Sequence, residues 1–275
     1  MSEDKGRNKK KIVLLAIMIV AVIAFVGSGI YIIRYYKNQE AAKSAYEELQ
    51  KDKELQEERM QKKQSEKVET EQQASENEQE EKKVEIPVDF DALKAQNPDV
   101  YAWISIPGTS IDYPILQSAE DDTYYLNYTI DKVKGLPGSI YTESLNAQDF
   151  SDNNTVIYGH NMKNGSMFAD LHKYSDNLFL KENPYVIIYT PDQVLKYQIF
   201  AAYVSDDKHI LKTFDFTDDA VYQGYLNDIF AMRQMGVILD KEIKVTSENK
   251  ILTLSTCNSV FDQRWLVQAM LIEEE

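Results

Sequence analysis

A mainly β domain closed into a barrel, carried by a charged stalk on a membrane-spanning helix, is the architecture this sequence predicts. Three observations predict it. Residues Ile12 to Ile33 carry no charged side chain over 22 positions. Residues 37–86 hold no Gly or Pro and are dominated by Glu, Lys and Gln. From Pro87 to Glu275 the texture changes to aromatic and β-branched runs separated by Gly, Pro, Asn and Asp, a length that suffices for one good core.

The N-terminal run is long enough as a helix to cross a hydrocarbon layer of about 30 Å. A cleaved secretory signal has an apolar region of only about 7–15 residues, so the length favours an uncleaved anchor over residues 12–36. Lys5, Arg7, Lys9, Lys10 and Lys11 precede it against only Glu3 and Asp4, and cationic flanks stay cytoplasmic. Residues 1–11 are therefore expected inside the cell and everything after residue 36 outside. Residues 37–86 lack an apolar stripe and read as a solvated stalk, part helical and part disordered, that spaces the domain from the bilayer.

Within residues 87–275 the expected strands are 101–106, 112–117, 138–143, 154–159, 185–190, 194–204, 250–256 and 264–272. Eight short strands suggest a closed or nearly closed β-barrel. Helical patterns interrupt them at 90–96, near 121–127, around 167–181 and most clearly at 218–235. In the last of these, Val221, Tyr225, Ile229 and Met232 fall on one face.

The domain is acidic, with 14 Lys and Arg against 28 Asp and Glu, a net of −14. Nucleic acid is excluded as a partner, because phosphate binding relies on clustered Lys and Arg. The acid excess serves surface solubility. No DxDxDG-type loop is present for calcium.

The segment "TLSTCNSVFDQRW", 253–265, holds the only cysteine. Side-chain alternation puts Leu252 and Leu254 on one face of a strand and Thr253, Ser255 and Cys257 on the other, so the thiol belongs to the polar face. With no second cysteine it forms no intramolecular disulfide; it is either a small buried hydrophobe or a functional thiol. At its ordinary pKa of about 8.5 a thiol is mostly protonated near neutrality, so a nucleophilic cysteine needs a histidine or another cation beside it. His172 and His209 lie in charged contexts and read as solvated surface side chains. His160 ends the strand "NTVIYGH", where a barrel rim presents side chains into a groove. It is either a hydrogen-bonding residue or a base. Arg264 is the only arginine after the cysteine. A tight 258–263 connection pairs the two strands antiparallel and sets Cys257 opposite Arg264. Its guanidinium suits an oxyanion, and equally a surface salt bridge with Asp262.

"TLSTC", "VIYGHNM" and a following arginine together resemble the signature of sortases, the membrane-anchored cysteine transpeptidases of Gram-positive bacteria. The resemblance extends over about residues 88–272 through "NPDVYAWISIPGTSIDYPILQS", "YYLNYT" and "GSMFADLHKYSD". It is most like class B, to which the large insert carrying the 218–235 helix also corresponds. The interval from Cys257 to Arg264 is shorter than the class B pattern. The resemblance implies an eight-stranded sortase-type barrel with peripheral helices over residues 87–275, with His160, Cys257 and Arg264 as the catalytic trio. Ser255, Asn258 and Tyr158 are implied at the substrate groove, the Asn258 backbone N–H beside Arg264 at the oxyanion. The implied partners are surface proteins with an Asn-Pro-X-Thr-Asn-like sorting signal, cleaved at threonine through a thioester. The implied acceptor is an amino group of a peptidoglycan precursor or of a pilin, and the resemblance implies neither a metal nor an organic cofactor. Two rival readings are a cell-wall cysteine peptidase of the amidase kind and a non-catalytic anchored binding or sensor module. The first usually places its cysteine before its histidine, the reverse of the order here.

Overall fold

Eight strands close on themselves in the computed structural model, which describes residues 2–71, 85–258, 260 and 262–275. The chain divides into two compact units, Met1–Ala42 and Lys43–Glu275. Helix α1 (Ser2–Glu71) carries the apolar run, and by length and composition it can cross a bilayer. Its apolar side chains from Val13 to Ile33 are largely exposed.

In the second unit the order is α2 (Phe90–Gln96), β1 (Val100–Ser105), β2 (Asp112–Leu116), β3 (Ile140–Tyr141), β4 (Asn154–Tyr158), α3 (Asn177–Glu182), β5 (Tyr185–Tyr189), β6 (Val194–Asp206), α4 (Ile210–Thr213), α5 (Asp219–Ala231), β7 (Ile238–Leu239), β8 (Ile251–Cys257) and β9 (Gln263–Glu274). Short 3₁₀ helices at Tyr124–Leu126 and Ala169–Ser175 replace the helices expected near 121–127 and in the first half of 167–181. The sheet runs β5-β1-β2-β3-β4-β8-β9-β6, and β6 pairs back onto β5 to close the barrel. The 13-residue β6 is long enough to hold β5 along its first half and the additional β7 along its second. β2–β3 and β4–β8 are parallel; the other pairs are antiparallel. The eight expected strands all occur within two residues of their expected ends. The two-residue β7 is too short to leave a periodic signal.

Alternation along the strands sorts the apolar residues into two layers. Ile104, Ile115, Ile157, Leu252, Leu254 and Val267 fill the barrel. Val156, Phe200, Tyr203, Ile251 and Leu266 face outward beneath α5, whose Tyr222, Tyr225, Leu226 and Ile229 cover them. Asp218 caps α5 by accepting from the N–H groups of Ala220 and Val221. The buried stripe is rotated from the expected one: Val221 is exposed and Tyr222 is buried, since the helix docks by its aromatic residues. Truncating one of these rings to Ala would cost about 3–5 kcal/mol.

The stalk departs from its solvated reading. Residues 43–57 of α1 belong to the barrel's compact unit. Tyr46, 4% exposed, donates to Gly138 O at 2.9 Å and packs edge-on against Tyr113. Gln50 Nε2 donates to Asp112 O. Lys53, 6% exposed, reaches Asp112 at 3.1 Å and Glu57 at 2.8 Å. Positions 46, 50, 53 and 57 share one helix face. That face is mostly polar, so a search for an apolar stripe passes over it. Residues 72–84, the rest of the expected disordered part, lie outside the described residues.

Candidate active site

The site forms where β4 ends and β8 turns into β9. Parallel pairing sets Tyr158 beside Ser255. The Gly159 N–H donates to Ser255 O at 3.1 Å, and Thr256 Oγ1 donates to Gly159 O at 2.7 Å. The register thus continues past the strand end and brings His160 alongside Cys257. Only glycine fits at 159, because an added Cβ would stand 2.5 Å from Ile140 Cδ1 and 2.7 Å from Phe168 Cδ2. Antiparallel pairing sets Cys257 opposite Arg264. The register therefore places the three residues that the sequence singled out along one rim.

Cys257 is free and exposed. The alternation argument places it correctly, but the face it belongs to is not open. Thr253 and Ser255 are buried, since α5 covers that face and only the last residue of β8 emerges. Thr253 Oγ1 donates to Asn154 Oδ1 at 2.9 Å and accepts from Gln268 Nε2 at 3.1 Å. A row of hydroxyls that reads as a polar surface is here a hydrogen-bonded buried layer. At 4% exposure Ser255 is a ladder residue rather than a groove residue.

His160 is half-buried, with Nε2 2.6 Å from Leu126 O. A carbonyl oxygen only accepts, so Nε2 carries the hydrogen and Nδ1 is the ring nitrogen left for proton exchange. Arg264 is half-buried, with Nη1 donating to Gln263 O at 3.2 Å. It makes no ion pair with Asp262, whose backbone sits at φ 58° in the turn. The Asn258 N–H donates to Gln263 O at 3.1 Å. It is committed to the hairpin, contrary to the expectation that it serves an oxyanion.

Tyr158 is half-buried and stacks on Tyr141, ring centres 5.4 Å apart. Burial first, then the Glu143 carboxylate, pushes both phenols above their ordinary value while the Arg264 guanidinium pulls the other way. Both stay protonated as neutral walls beside the cation. Tyr141 lies on β3, opposite Tyr158.

Neither of the other histidines is the solvated surface residue expected. His209 Nε2 lies 2.5 Å from Glu143 Oε2, and its Nδ1 accepts from the Lys212 N–H at the start of α4. His172 stacks on Trp265 and approaches Cys257 O. Asn161, next to His160 in the sequence, does the same. The sequence reasoning missed all three; adjacency to His160 and to Arg264 is the signal that could have found Asn161 and Trp265, and nothing local marks His172. Among the described residues no group of three or more His, Cys, Asp or Glu converges to hold a metal.

A family model for the sortase domain matches residues 104–272. Sortase B of Listeria monocytogenes is 38% identical over 184 residues, 66% of this chain and 72% of that protein. Sortase B of Staphylococcus aureus is 30% identical over 189 residues, 67% of this chain and 75% of that protein. Among solved structures, a Staphylococcus aureus sortase B–substrate complex superposes with a TM-score of 0.66 at 26% identity, covering 85% of this chain and 97% of that one. Clostridium perfringens sortase B superposes with a TM-score of 0.60 at 32% identity, covering 67% and 100%. A free thiol on the rim of a closed eight-stranded barrel and these likenesses together lead to one conclusion: the chain belongs to the sortase family, class B, and is a cysteine transpeptidase of the cell wall.

Proposed function

We propose that Cys257 is the nucleophile, His160 the proton carrier and Arg264 the oxyanion donor in cleavage of a sorting signal at threonine. The observation that carries this reading is the exposed thiol set directly across the β8–β9 ladder from Arg264, with His160 at the adjoining end of β4. The Cys257 thiolate attacks the threonine carbonyl carbon; a C–S bond forms, and the carbonyl electron pair collects on oxygen, where the guanidinium donates to it. Collapse breaks the C–N bond, and the leaving amine takes a proton from His160. An incoming amine then attacks the thioester and gives its proton to His160, a new C–N bond forms, and the thiolate is released. The signal is Asn-Pro-X-Thr-Asn-like, and the acceptor is an amino group of a peptidoglycan precursor or a pilin. α1 anchors the chain with its N-terminus cytoplasmic and residues 37–275 outside, as the basic flank supports.

Mass spectrometry of the full chain in detergent with a panel of sorting-signal peptides tests this reading. The expected product is an acyl adduct on Cys257 that ends at the substrate threonine. No adduct with any peptide, or an adduct elsewhere, would overturn it.

A further inference from the structure

In the parallel β4–β8 ladder, alternate carbonyls of β8 point toward β4. Ser255 O meets the Gly159 N–H there. Two residues on, Cys257 O points the same way, but β4 has ended at Tyr158 and the chain turns off to pair Asn161 with Met167. Two side chains take the place of the missing strand. Asn161 Nδ2 donates to Cys257 O at 3.1 Å, and His172 Nε2 lies 3.2 Å from the same oxygen. Asn161 Nδ2 also lies 3.0 Å from His172 Nε2. An amide nitrogen only donates, so Nε2 accepts from it, and the Asn161 amide spends one hydrogen on Cys257 O and the other on His172, a clasp that fixes its orientation.

The clasp is itself braced. The His172 ring stacks on Trp265 with centres 5.5 Å apart and planes 24° apart. Trp265 Nε1 donates to Leu171 O at 2.8 Å, tying the 3₁₀ helix that carries His172 to β9. On the opposite side of the Cys257–Asn258 peptide, the Asn258 N–H is held by Gln263 O. The peptide that follows the thiol residue is thus gripped from both sides, although Cys257 itself is exposed.

We propose that Asn161 and His172 are positioning residues for the nucleophile. Asn161 holds Cys257 O and His172 holds the Asn161 amide, and together they fix the plane of the Cys257–Asn258 peptide and the direction of the Cα–Cβ bond that aims the thiol. The inference rests on Cys257 being the nucleophile. A misplacement of about 1 Å in a reacting group costs on the order of 10²-fold in rate, which is the scale on which such a clasp matters.

The single cysteine makes the test direct, because cysteine labelled with ¹³C at its carbonyl gives one signal in the full chain in detergent. Asn161→Asp, which keeps shape and loses the donor, and His172→Phe, which keeps the stack and loses the nitrogen, should each move that signal upfield. Each should lower kcat for acyl transfer by about 10–100-fold, with KM within about twofold of wild type. Tm should stay within about 4 °C. His172→Gln sets an amide oxygen near the Nε2 position to accept from Asn161 and should recover most of the rate. An unmoved carbonyl signal overturns the inference. So does a kcat within about threefold of wild type in both variants, or a His172→Gln enzyme as slow as His172→Phe. Absence of any acyl adduct in the wild-type chain is the separate failure of the nucleophile assignment.

Discussion

Cys257 and Arg264 face each other as a non-hydrogen-bonded pair of the β8–β9 ladder. The next pair inward on the hairpin, Asn258 and Gln263, is the bonded one, through the Asn258 N–H and Gln263 O. In non-bonded pairs the Cα atoms approach to about 4.5 Å and the two side chains leave the same face of the sheet. Thiol and guanidinium are therefore brought together by backbone register alone, without a salt bridge to hold the arginine.

A planar fork and a point charge differ at such a position. With Arg264 donating to the oxyanion, Arg264→Lys keeps the charge, loses the geometry and lowers kcat/KM by about 10²–10³-fold. Steady-state kinetics on one cleavable peptide check this; a value within about threefold of wild type rules out the donor role.

Cys257→Ala should abolish the acyl adduct while the barrel stays folded, because the side chain is exposed and fills no core volume. Adduct mass and the thermal transition are read on the same sample. Retained turnover would place the nucleophile elsewhere.

Lys53 joins α1 to the barrel. Burial pushes its ammonium down, but the Asp112 and Glu57 carboxylates outweigh this and hold it above its ordinary value. Asp112 also accepts from Trp103 Nε1 at 2.7 Å. Lys53→Met leaves the Asp112 carboxylate short of its cation and should cost about 1–3 kcal/mol. Urea unfolding measures the loss, and limited proteolysis should show earlier cutting within residues 43–63. Unchanged resistance would mean that the helix docks without this ion pair.

Asp170 anchors the 3₁₀ helix of His172 by accepting from the Ser110 N–H and from Lys173. Burial raises its carboxyl, but the hydrogen bonds from Lys173 and Ser110 outweigh that and hold it below its ordinary value. A lowered folded pKa stabilises the protein above the unfolded value and is lost as pH falls through the folded one. Stability should thus drop below about pH 4 in the wild type and drop less in Asp170→Asn. Urea midpoints at pH 3 and pH 7 compare the two, and equal slopes would remove Asp170 from the acid limb.

Protease added to wall-stripped intact cells should digest the stalk and the barrel, residues 37–275, if the basic flank sets the orientation. A domain protected until the membrane is permeabilised would reverse the topology.

The sequence by itself determined what local periodicity and composition carry. The 22-residue apolar run, the eight strands and the Cys257–Arg264 register follow from side-chain alternation and from a connection too short for anything but a hairpin. Position in a strand, however, does not say what lies over it. Thr253 and Ser255 read as surface until α5 is known to cover them, and Lys53 reads as stalk until Asp112 stands beside it. His172 shows the limit most plainly. It is 85 residues from Cys257 in the chain, and only the return of the 3₁₀ helix onto Trp265 brings it to the Cys257 carbonyl. Contacts of that separation are set by how the layers pack, and packing is a property of the whole core rather than of any window of sequence.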